Sequence, residues 1–222
     1  MSKQDILARI KDSLHINPLD AQSPHYINPL NIEQKDELQA YIALQSANKA
    51  IVVESCPNTL VQDIHKALQE VKAQKILYNP NITDVLDINA LCNINGASLA
   101  DSITFLAYEK SIDETRGELF DMDTSIICAD CGVANLGIIG IASRTNAPRL
   151  SSLITRNCII LLKKADIVAH FYDGVCALKA QSQNGVLPSN MIFIAGPSRT
   201  ADIELQTVFG VHGSLKTYVI IY

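Results

Sequence analysis

No stretch of this 222-residue chain offers the roughly 18 apolar residues that a membrane-crossing helix needs, because Asp, Lys or Asn interrupts every hydrophobic run. That pattern argues against membrane insertion. Basic residues are scarce too: 18 Lys and Arg against 23 Asp and Glu leave a formal net charge of −5. A general nucleic-acid binder shows a basic excess or a basic stripe, and neither is present, so nucleic acid is not an expected partner. The start of the chain lacks the basic-then-apolar layout of a signal peptide, and Met1-Ser2-Lys3 lacks the glycine that myristoylation requires; a cytoplasmic protein is the expectation. The recognisable catalytic routes are missing as well. No nucleophile elbow, no phosphate-binding loop ending in Gly-Lys-Ser/Thr, no dinucleotide fingerprint and no zinc-protease helix occurs.

Cysteine usage is modest and scattered, at 56, 92, 128, 131, 158 and 176, in a chain long enough to need no disulfide staples. A reducing compartment fits. Cys128-Ala129-Asp130-Cys131 alone has metal-ligand or redox spacing, and one such pair supplies half the ligands that zinc or an iron–sulfur cluster takes. Buried, inert thiols are the expectation, and no metal site is predicted.

What is present is a chain that is 48% hydrophobic, enough for one sizeable core with an appended arm. Residues 2–14 read as a short amphipathic helix with Ile6, Leu7, Ile10 and Leu14 on one side, suited to docking on its own domain or on a partner. Residues 15–31, with prolines at 18, 24 and 29, read as an extended linker. Beyond it, helical and strand periods alternate. Helices are expected near 32–46, after Pro57-Asn58, near 172–183 and over 201–209. Short apolar runs at 50–53, 75–78, 103–108, 125–129, 137–142, 158–162, 191–195 and 217–222 read as strands. The densest runs suit strands covered on both faces. The rhythm predicts an α/β fold with a largely parallel central sheet flanked by helices.

Two polar constellations stand out. In the first, Gly196-Pro197-Ser198-Arg199-Thr200-Ala201-Asp202-Ile203-Glu204 follows an apolar strand and precedes the expected 201–209 helix. A helix start beyond a parallel strand offers free N–H groups to an anion, and Arg199 adds a forked donor. Asp202 and Glu204 would instead occupy the dipole themselves, leaving Ser198 or Thr200 as caps and Arg199 in a structural ion pair. Both readings stay open. Gly210-Val211-His212-Gly213 allows a tight reversal, with His212 as a capping residue or a candidate base. The second constellation runs from Ser143-Arg144-Thr145-Asn146 through Pro148-Arg149-Leu150-Ser151-Ser152. Its arginines suit bidentate pairing with a carboxylate or phosphate, an interface contact, or a solvated loop.

The first segment, continued by Phe209-Gly210-Val211-His212-Gly213 and the terminal apolar run, resembles the C-terminal signature of the LUD domain family. Ala129-Asp130, Gly137 with its apolar run, and Asn146-x-x-Arg149-Leu150-x-Ser152-Leu153 follow the order of that family, within which the lactate-utilization branch fits best. The resemblance implies a helical arm and linker at residues 1–44 and a LUD-like α/β domain at 45–222. Its fold would be like that of CoA transferases and ribose-5-phosphate isomerases. It also implies a role in oxidising L-lactate to pyruvate beside two iron–sulfur subunits, with the clusters on those partners and no cofactor on this chain. Asn146, Arg149, Ser152, Gly196, Ser198, Arg199, Thr200, Asp202, Glu204 and Gly213 become candidate ligand or interface residues. A free-standing enzyme or sensor for a phosphorylated or CoA-linked small anion is the alternative. Two positions depart from the family. Asn135 stands where many members carry a glutamate, and an asparagine cannot form a reactive acyl anhydride; Cys158 replaces a usual histidine.

Overall fold

Residues 3–16, 36–92, 103–201 and 207–222 are described by a computed structural model. The chain divides into two units, residues 1–31 and 32–222. In the first, α1 (Lys3–Ile16) has Asp5 in its first turn and His15 in its last, both favourable to the helix dipole, and it exposes Ile6, Leu7 and Ile10. The expected linker lies almost wholly outside the described residues.

The second unit opens with α2 (Glu37–Ala47), whose N-cap Asp36 accepts a hydrogen bond from the Gln39 N–H at 3.1 Å. Six parallel strands then build the main sheet: β1 (Ile51–Glu54), β2 (Lys75–Tyr78), β3 (Thr104–Ala107), β4 (Thr124–Cys128), β7 (Asn157–Leu162) and β12 (Lys216–Ile221), in the order β1-β12-β7-β4-β2-β3. Alternation along each strand supplies two apolar faces. Ile126, Ile159, Leu161, Tyr218 and Ile220 meet α3 (Leu60–Val71), which presents Leu60, Ile64, Ala67 and Leu68 at helical spacing. Ile127, Ile160, Val219 and Ile221 face the other way, against Tyr41 of α2. Each fully buried aliphatic side chain of this kind contributes about 1.5–3 kcal/mol through apolar burial.

A second sheet covers that other face, and here the sequence expectation needs correcting. The apolar runs at 137–142 and 191–195 do form strands, β6 (Ile138–Ala142) and β9 (Met191–Ile194), but they join β5 (Cys131–Val133) and β8 (Ile167–Val168) in a separate sheet of order β8-β5-β6-β9. Its β5-β6 and β6-β9 pairs are antiparallel. Periodicity marks β6 as covered on both faces, as it is, yet cannot say which sheet owns it. α7 (Phe171–Ala180) closes the outer side, packing Leu178 against Cys131 and Ala142. Helices α5 (Ile112–Phe120) and α6 (Ser151–Ile154) pack Leu119 and Ile154 near Leu77 of β2 and Tyr108 beyond β3.

The second correction concerns residues 201–209. Arg199–Ala201 (β10) and Thr207–Phe209 (β11) form an antiparallel hairpin with Arg199 opposite Phe209 and Thr200 opposite Val208. The β-branched Thr200, Thr207 and Val208 and the aromatic Phe209 favour the extended backbone over the helix that a sparse apolar spacing suggested. Asp202 and Glu204 lie outside the described residues.

Candidate functional site

The two polar constellations stand at opposite edges of the parallel sheet. Gly196, Ser198 and the 210–213 reversal lie at the amino edge, where β1, β7 and β12 begin. The 143–152 loop reaches the carboxyl edge, beyond the end of β2.

At the amino edge the organising residue is Asn48, the C-cap of α2. Its side-chain amide donates to the carbonyls of Leu136 at 3.0 Å and Gly137 at 2.8 Å, holding the turn that joins β5 to β6. Its own carbonyl oxygen is 2.1 Å from where a Cβ at position 196 would stand, and Gly196 has φ +70°. Gly137 makes an equally close approach, with φ +58° and a notional Cβ 2.4 Å from the Gln45 nitrogen. Only glycine fits either place. Two segments about sixty residues apart, both within the family resemblance, therefore meet on the end of one helix. Ser198 then clasps the following reversal: its N–H donates to Ser214, its carbonyl accepts from Gly210 and its hydroxyl accepts from the His212 N–H. Arg199, Thr200 and His212 are exposed, and Arg199 donates to the Ala195 carbonyl at 3.3 Å. Because Arg199–Ala201 is strand, the described residues after Gly196 offer no helix start there, and the dipole argument for an anion at Ser198 and Arg199 loses its basis.

Buried polar atoms gather behind this edge. Tyr41 and Gln45 are fully buried on one side of α2, and neither the phenol oxygen nor either end of the Gln45 amide finds a hydrogen-bond partner among the described residues. The same holds for Asn135 Oδ1 and His170 Nδ1, and the Asn135 N–H donates to Ala169 at 3.0 Å, next to His170. Each such orphan costs about 1–3 kcal/mol, so these four residues of α2 and of the β5–β6 and β8–α7 connections stand out from the ordinary core. Burial also raises the Tyr41 phenol pKa.

The carboxyl edge is built from charge. A cavity of about 210 Å³ opens beyond β4, β7 and β12, bordered by Cys128, Lys163 and Tyr222 and by Asp84, Asp130 and Arg144. Arg144 Nη1 donates to Asp130 Oδ1 at 2.7 Å and to Gln181 Oε1 at 3.2 Å, while Asp130 Oδ2 accepts the Ala142 N–H at 2.6 Å. This is where ligands bind in open parallel sheets. The 143–152 loop hangs beside it through its backbone: the Asn146 carbonyl accepts from the Asn81 N–H, and the Pro148 carbonyl accepts from the Asn79 amide. Asn146 and Arg149 expose their side chains, whereas Ser152 is buried and donates to the Arg149 carbonyl at 2.7 Å.

The cysteine pair does not converge. Cys128 borders the carboxyl-edge cavity, while Cys131 is buried in the second sheet beside Ala142 and Leu178. Burial pushes both thiols, and that of Cys158, up to about 12, so they remain protonated at neutral pH. Among the described residues no group of three or more His, Cys, Asp or Glu side chains is placed to hold a metal ion, and no helix is long and apolar enough to cross a membrane.

Sequence reasoning named neither Asn48 nor the orphaned Gln45, and it gave no role to the Asp130–Arg144 pair. A helix-ending Asn before Lys49 and an Arg inside the polar loop were the available signals.

Comparison with known proteins fits this architecture. The LUD domain model matches residues 26–222. A protein of Neisseria meningitidis with no assigned function is 36% identical over 119 residues, covering 53% of this chain and 50% of its own. A lactate utilization protein C of Shouchella clausii is 35% identical over 99 residues, 45% of this chain and 43% of its own. One from Halalkalibacterium halodurans is 32% identical over 115 residues, 49% of this chain and 50% of its own. The matched region thus spans about half the length of these relatives. The crystal structure of a DUF162 family protein from Deinococcus radiodurans shares the fold, with a TM-score of 0.59 and 18% identity over 83% of this chain and 95% of that one. With the whole α/β unit inside the family match, the chain belongs to the LUD domain family.

Proposed function

We propose that this chain serves lactate utilization as a subunit without a cluster of its own, supporting oxidation of L-lactate to pyruvate beside two iron–sulfur subunits. The observation that carries this reading is the family match over residues 26–222, taken together with relatives named lactate utilization protein C. Cys128 and Cys131 sit in different surroundings, one at the carboxyl-edge cavity and one in the second sheet, and a pair supplies only half of a cluster's usual ligands, which favours placing the electron-carrying centres on partners. In this role the exposed parts of Arg199, Thr200 and His212 and the Asn146/Arg149 loop act as ligand or interface surfaces. Gly196, Ser198, Ser152 and Gly213 shape the backbone that presents them. The alternative, a free-standing enzyme or sensor for a phosphorylated or CoA-linked small anion, loses the support of a helix start at Ser198, because Arg199–Ala201 pairs as a strand.

Deletion of the gene tests the proposal. Growth on L-lactate should fall while growth on other carbon sources holds, and the chain should co-purify with cluster-bearing proteins. Undiminished growth together with no such association would defeat it.

A further inference from the structure

Just outside the reversal held by Ser198 lies a groove of about 540 Å³ that shares only His212 and Gly213 with the surfaces named above. Its walls come from three separate parts of the chain: Phe120 at the end of α5, Leu153 in α6, and Phe209 and Val211 at the hairpin end. All four are exposed, Phe120 at 55% and Val211 at 52%. The position is fixed by the sheet itself, since the Arg156 carbonyl accepts the Leu215 N–H at 2.7 Å just where β7 and β12 begin. A single exposed apolar side chain is ordinary, but several large ones converging on one depression mark an interaction surface.

Among the described residues the charge around the groove is one-sided: Arg156 and His212 are the ionisable side chains that line it, with no carboxylate beside them, and Arg156 has no ion pair. On a chain of net charge −5 this cationic lip runs against the overall sign. Complementarity therefore calls for an occupant that is apolar at its tip and acidic around it.

We infer that this groove docks an acidic, apolar-tipped surface segment of a cluster-bearing partner subunit, and this rests on the subunit role proposed above. The apolar side chains supply the anchor, and Arg156 supplies orientation and a salt-dependent share of the affinity.

The test uses the full-length chain and the two iron–sulfur subunits of the same lactate-oxidising system, co-expressed and purified, with binding followed by calorimetry. Phe120→Asp and Leu153→Asp should each weaken binding about tenfold or more, as loss of an interface anchor does. Arg156→Glu, at an exposed position where folding is unaffected, should weaken it comparably at about 0.05 M salt and much less at about 0.5 M. Val186→Asp, on a different exposed loop, should bind like wild type. If wild type binds and all three groove variants bind equally well, the groove assignment is wrong while the subunit role survives. If wild type does not bind the subunits at all, both are wrong. Self-association of the chain that Leu153→Asp abolishes, seen by sedimentation, would assign the groove to a second copy instead and overturn the inference.

Discussion

The amino and carboxyl edges of the same six-stranded sheet are held together by different means. At the amino edge the closest approaches are of backbone: Gly137 and Gly196 press on the end of α2, the Asn48 side-chain amide holds the β5–β6 turn by its carbonyls, and Arg199 and His212 are exposed. At the carboxyl edge the contacts are between side chains, with Arg144, Asp130 and Gln181 interlocked and largely shielded from water. The general rule for open parallel sheets favours the carboxyl edge as a ligand site. The segment with the strongest family resemblance lies at the amino edge. What this teaches is that a recurring glycine-rich motif can be demanded by close packing, so its chemistry has to be argued from the groups beside it.

The largest test of this contrast is Gly196→Ala. A Cβ 2.1 Å from the Asn48 oxygen, on a backbone at φ +70°, should cost on the order of 4 kcal/mol or prevent folding. Denaturant titration reads it, and a loss below about 1 kcal/mol would remove Asn48 from its organising place. Next comes Arg144→Met. Removing one partner of a shielded pair strands Asp130, and a loss of about 3 kcal/mol is expected. The double variant Arg144→Met/Asp130→Leu should recover part of that loss; if the double is worse than the single, the carboxyl edge is not organised by this pair.

A smaller effect appears with pH. Cys128, Cys131 and Cys158 titrate near 12 in the folded chain against an ordinary 9.0, chiefly through burial. The folded state holds those protons more tightly, so their contribution is complete below pH 9 and is lost as pH rises toward 12. Urea midpoints should therefore fall between about pH 8 and pH 10.5. Cys128→Ala should flatten the slope and Arg199→Ala should not; equal slopes would mean that Cys128 is not buried as described. Smallest of all, Arg199→Ala and His212→Ala should change stability by less than about 0.5 kcal/mol, because both side chains are exposed. A larger loss would show that the amino edge depends on these two exposed side chains after all.

Much of the fold could be read from the sequence. The run at 75–78 became β2, and the helix after Pro57-Asn58 became α3, because apolar spacing directly reports which face is covered. The division into two sheets could not be read, since a fully buried strand looks alike in either. The helix expected over 201–209 was misread at both of its described ends, where Ala201 and Thr207–Phe209 are strand, because an apolar spacing that resembles half of a helical stripe was weighed above the β-branched Thr200, Thr207 and Val208. For the candidate site, motif spacing located Gly196 and Arg149 but not the edge each occupies. Asn48 and Gln45 matter through contacts with residues about ninety positions away, which no local pattern encodes.

The most direct measurement of the central claim is lactate-dependent dye reduction by the assembly co-purified from native cells, with and without this chain. The rate should fall sharply when the chain is omitted and return when the purified, iron-free chain is added back. Full activity in its absence, or lactate oxidation by the isolated chain alone, would contradict the account.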